Sequence, residues 1–148
     1  MTTTYENALA EIFAAFNTAW QAGTASIVGY IPVIIWPGSD TGVPDASKFW
    51  VRISTQGVGS EQSTLAESVV TQGSKRFETF GLIFLQIFAP KRSDSATKSK
   101  KLAMLAQNTF RDGTLNVIIR NARIQELPEE NGLIRINVVA DYEFDEIN

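Results

Sequence analysis

Cysteine and histidine are both absent from the 148 residues. Without cysteine there is no disulfide, no thiolate nucleophile and no sulfur-bound zinc; without histidine the commonest general base and metal ligand is missing. Most enzyme mechanisms are excluded on those grounds. Carboxylate chemistry, a Lys or Ser nucleophile, or oxygen-ligated Mg²⁺ or Ca²⁺ would each need an acidic cluster or a recognisable motif. No Walker A, G-x-G-x-x-G, G-x-S-x-G or H-E-x-x-H sequence occurs, and Gly57-Val58-Gly59 lacks the third glycine of a dinucleotide loop. Glu129–Glu130 falls in a predicted turn and Asp145–Glu146 in a terminus, poor positions for acid–base work. Asp40 and Asp45 sit in the Pro37–Ser47 loop without the D-x-D-x-D-G spacing of a Ca²⁺ site. The expectation is a protein that is not an enzyme and holds no cofactor or metal.

Long apolar runs are also missing. None reaches the roughly 18 residues that a membrane span needs, and the opening MTTTYENALAEIF has neither a basic n-region nor an apolar h-region. With 44% hydrophobic and 20% charged residues the composition is that of an ordinary globular protein. A single soluble domain spanning 1–148, made in the cytoplasm, is expected.

Charge is scarce overall, at −3, but unevenly placed. From Lys75 to Lys101 seven basic residues face two acids; from Glu126 onward seven acids face Arg135 alone. Two patches of opposite sign suit head-to-tail self-association, with Lys98, Lys100 and Lys101 on one side and Glu129, Glu130, Asp145 and Glu146 on the other. Both patches are equally readable as solvated surface. The basic segment carries no interleaved aromatics and the isoelectric point is about 5.0, which does not support sequence-specific nucleic-acid recognition while leaving transient contact with passing DNA.

Apolar periodicity predicts a helix over about 4–22, with Leu9, Ile12, Phe13, Phe16 and Trp20 on one face and the Thr2–Thr4 run available as cap. Tyr30–Trp36 reads as a short edge strand, since Pro32 cannot donate to a ladder. Phe49–Thr55 alternates as a half-buried strand, and Trp50 with Arg52 on its polar side could anchor a partner or be covered by a neighbouring strand. Gln56–Gly73, polar and glycine-punctuated, predicts a protruding hairpin arm at about 56–73 with a second strand near Thr64–Gln72. Its few apolar residues, among them Leu65, Val69 and Val70, are offered to another subunit.

Lys75–Pro90 is apolar on both faces: Phe77, Ile83, Leu85 and Ile87 on one, Phe80, Leu82, Phe84 and Phe88 on the other. One layer of helices covers only one side, so the second needs different cover. Sixteen residues of strand would span roughly 50 Å, which predicts a bulge or bend at Gly81. Ser93 or Asp94 should cap a helix running from about Asp94 to Phe110. Leu115–Glu126 and Leu133–Phe144, joined by LPEENG, should form a terminal hairpin turning near Glu130–Gly132. The fold class is α+β: a mostly antiparallel or mixed sheet of 4–6 strands with two main helices on one face.

This succession resembles the tail terminator, or tail completion, proteins of long-tailed bacteriophages. The similarity runs through the N-terminal helix, a strand closing in Trp36-Pro37, Trp50-Val51-Arg52-Ile53 and the polar arm. It continues through Arg76–Pro90 (RFETFGLIFLQIFAP), a helix ending in Phe110-Arg111-Asp112-Gly113, and the terminal hairpin. The resemblance implies a subunit of a hexameric ring that caps the tail tube, stops its polymerisation and docks the head connector or stopper, with DNA passing through the lumen. It implies as partners a further copy of itself, the tail-tube protein and the connector, no membrane, and residence in the virion at the neck. Another neck, head–tail connector or minor tail protein is the neighbouring alternative; a small cytoplasmic ligand-binding or enzyme subunit is the alternative of a different class.

Overall fold

The computed structural model describes residues 2–39, 42, 44–62, 76–111 and 115–147. The first helix, α1 (Tyr5–Gly23), begins where expected because the Thr4 hydroxyl accepts from the Asn7 amide at 3.2 Å. Ala8, Ile12, Phe16 and Trp20 recur at helical spacing and are all buried. A four-residue helix, α2 (Ala25–Val28), follows and is stopped by Gly29 at φ 85°. The Trp20 indole donates to the Pro32 carbonyl at 3.0 Å, and Phe13 and Phe16 meet Trp36 edge-on, so the segment after α2 is pinned back against α1.

Strand β1 (Val33–Ile35) runs parallel to the start of β2 (Trp50–Gln62), which pairs antiparallel with β3 (Arg76–Pro90). After β3 comes α3 (Ser95–Arg111), then β4 (Ile118–Glu130) and β5 (Leu133–Ile147), joined by a two-residue turn at Asn131–Gly132, both with positive φ. The sheet order is β1-β2-β3-β5-β4, so β3 and β5 are central and β1 and β4 are edges. This is an α+β fold on a five-stranded mixed sheet. One face of that sheet, with Val51, Ile53, Ile83, Leu85, Ile87, Ile136, Val138, Ala140, Tyr142 and Phe144, forms a single core with the apolar stripes of α1 and α3.

One expectation is corrected, one is refined and one alternative is decided. The bulge lies in β2, where the register shifts between Gly57 and Gly59, and Gly81 sits opposite it in an unbroken β3 of 15 residues. Gly81 answers a different need: a Cβ there would lie 2.6 Å from Cζ of Tyr142 and closer still to the Tyr142 hydroxyl and the Gln56 carbonyl. Residues 56–62, the first part of the expected arm, continue β2 and, Val58 in the bulge apart, pair with Phe77–Leu82. Asp94, not Ser93, adjoins α3: its carbonyl accepts from the Lys98 amide at 3.1 Å and its carboxylate holds the Lys98 ammonium at 2.6 Å. The second arm strand near Thr64–Gln72, with Leu65, Val69 and Val70, lies outside the described residues, as does Asp40.

Candidate functional site

Alternation along the strands sends every second side chain to the face of the sheet away from α1 and α3. In register, that open face carries Trp50, Phe88, Arg135 and Leu127 in one row, then Arg52, Gln86, Asn137 and Gln125. Ser54, Phe84, Val139 and Arg123 follow, then Gln56, Leu82, Asp141 and Arg120. Beyond them lie Phe80 with Glu143 and Ile118, and finally Glu61, Glu78 and Asp145.

At one end the face is sealed by its own side chains. Trp50 stacks on Phe88 with centroids 3.9 Å apart and planes 8° from parallel, while Arg52 lies over the Phe88 ring at 5.6 Å and donates to Gln86 at 2.7 Å. Trp50 and Arg52, expected as partner anchors, therefore spend their contact surface on β3, and Phe88 is only 8% exposed. In the middle Phe80, Leu82 and Phe84 stay half-buried, with Ile118 exposed beside them. Among the described residues no helix lies over them.

The far end is acidic. Glu61, Glu78 and Asp145 stand side by side on three adjacent strands, with Glu143 next along β5. Hydrogen bonding to the Glu143 carboxyl, and then the repulsion of that carboxylate, holds Glu78 above the usual carboxylate range. Arg76 pairs with Asp145, Arg120 with Glu143 at 2.7 Å and Arg123 with Asp141 at 3.4 Å. Glu61 and Glu78 have no cation partner among the described residues.

The two charged segments meet inside one subunit. Lys91 reaches Glu129 at 3.2 Å, Lys100 reaches Glu126 at 3.5 Å, and Glu130 holds Arg135 at 3.0 Å. Lys98, Lys100, Glu129, Glu130 and Asp145 thus each have an ion partner within the subunit. Glu146, opposite Phe77 in register, alternates onto the helix side of the sheet. Of the expected lysines Lys101 alone keeps an exposed ammonium with no ion partner among the described residues. Asp45 caps its own loop, accepting from the Ser47 amide at 2.9 Å and hydroxyl at 2.7 Å, and those bonds lower its pKa. Glu61 and Glu78 escaped the sequence reading, although strand alternation puts Glu78 on the same face as Phe80 and Leu82.

No family model and no curated protein matches the chain. A solved structure whose name states no function is similar at 11% identity, with a TM-score of 0.54 over 89% of this chain and 92% of that one. At that identity the likeness is one of fold.

Proposed function

We propose that the chain is a structural virion protein, a tail terminator whose copies form a ring that caps the tail tube, halts its growth and presents a docking surface to the head connector. The observation that carries this reading is the open sheet face: Phe80, Leu82 and Phe84 form a half-buried apolar row with no helix over it among the described residues, on a strand otherwise central to the sheet. Such a row favours cover from another chain. Supporting it are the order of elements shared with the terminator proteins and the β2–β3 ribbon, whose residues 56–62 are almost wholly exposed and add little to their own core. Transient contact with DNA threading the ring fits a subunit that presents no groove-reading element among the described residues.

The test is mass in solution together with negative-stain imaging of the full chain. The expected result is a ring of about six subunits that binds purified tail tubes at one end and blocks further addition of tube protein. A chain that is monomeric at every concentration and leaves tube growth unaffected overturns the proposal.

A further inference from the structure

The outer surface of α3 has a composition that the core does not require. Its buried residues, Ser95, Ser99, Leu102, Ala103, Ala106 and Phe110, cluster on one side. At 100° per residue, Lys101, Met104 and Arg111 fall on the side directly opposite, pointing away from the sheet. All three are exposed, Met104 at 54%. Lys101 and Arg111 have no ion pair among the described residues. A methionine between two unpaired cations is a small apolar contact with a basic rim.

The open sheet face carries the complement. Around Phe80 and Leu82 stand Glu61, Glu78, Asp141, Glu143 and Asp145, against Arg76, Arg120 and Arg123, an excess of two carboxylates. From Lys101 to Arg111 is about 15 Å along a helix, and from Glu78 to the level of Asp141, the register partner of Leu82 on β5, is about 13 Å along the strands.

We propose that the Lys101–Met104–Arg111 stripe of one copy docks on the open sheet face of the next, Met104 against Phe80 and Leu82, with one cation meeting Glu61 and Glu78 and the other lying toward Asp141. The proposal rests on the ring reading only in requiring a second copy, and it names the surfaces that meet. Because the two surfaces lie on opposite sides of one subunit, the contact is heterologous: each copy gives its helix to one neighbour and its sheet to the other. A cation seated between Glu78 and Glu143 also relieves the like-charge contact that raises the Glu78 pKa.

Charge reversal with a mixing arm tests this on the full chain. K101E/R111E makes both surfaces acidic and E61K/E78K makes both basic, so each variant alone should associate at least about tenfold more weakly than wild type in sedimentation at low salt. An equimolar mixture should recover assemblies of wild-type size, since each variant then supplies what the other lacks, and that recovery shows that both variants are folded. A mixture that stays as dissociated as its components overturns the proposal. If wild type, both variants and the mixture all form the same rings, this contact is wrong and the terminator reading stands. If wild type is itself monomeric, both fall.

Discussion

Gly81 and Tyr142 face each other across β3 and β5, and the tyrosine ring occupies the space that a side chain at 81 would need. The glycine is thus demanded by a neighbour rather than by an unusual backbone. Gly81→Ala should destabilise the subunit by about 1–3 kcal/mol through overpacking, read as a lower urea midpoint with an unchanged slope. The Tyr142 hydroxyl is buried without a hydrogen-bond partner among the described residues, and burial raises its pKa. Tyr142→Phe should therefore leave the midpoint unchanged or raise it, because an unsatisfied buried hydroxyl is removed with the ring kept; a clear loss of stability would mean that the hydroxyl has a partner in solution. Glu78 supplies a pH signature. An acid whose folded pKa is raised binds protons more readily when folded, so its ionisation removes stability as pH rises from the unfolded value through the folded one. Glu78→Gln should accordingly raise the urea midpoint at pH 7 and make no difference well below the ordinary glutamate value of about 4.5.

Among the elements, the β2–β3 ribbon is the one whose removal separates body from assembly. Its outer half, 56–62 against 77–82, is paired strand to strand, while the buried positions of β2 end at Ile53. Excising 60–78 and closing the hairpin with a short Asn-Gly turn should leave thermal unfolding cooperative, whereas self-association should fall because Glu61 and Glu78 go with it. Loss of cooperative unfolding would show that the ribbon belongs to the core. Much of this architecture was legible in the chain. The period-2 pattern of Ile134–Phe144 located β5, helical spacing located α1 and α3, and Asn131-Gly132 lies within the predicted turn. The continuation of β2 through Gly57 and Gly59 was hidden, because exposed ribbon strands need no apolar alternation. The parallel sense of β1 was hidden too, since periodicity carries no direction.

At the scale of the whole molecule, charge is where sequence and structure part. Lys91 and Glu129, or Lys100 and Glu126, are distant along the chain but adjacent in space, since the start of α3 packs beside the end of β4. Counting charges by segment therefore overstated what the surface has left to offer another copy. Once those pairs are subtracted, Lys101 and Arg111 on α3 and Glu61 and Glu78 on the opposite side of the sheet are among the charges left without an ion pair among the described residues. The apolar row on β3 was foreseen from its two-sided pattern, but its acidic border required the register that brings Glu61, Glu78 and Asp145 together. Because these charges are exposed, assembly should weaken as ionic strength rises and the Debye length falls below about 10 Å.

A bridge between Thr2 and Asp145, with the Thr3 amide donating to the Asp145 carbonyl at 2.9 Å, joins the first described strand residue to the last strand. Asp145 stands in the same row as Glu78 and Glu61, near the outer end of the described ribbon. The two extremities of the described chain therefore lie side by side. A tag or fluorophore attached near either extremity would emerge beside the ribbon, and so would sense the same neighbourhood whichever end carried it.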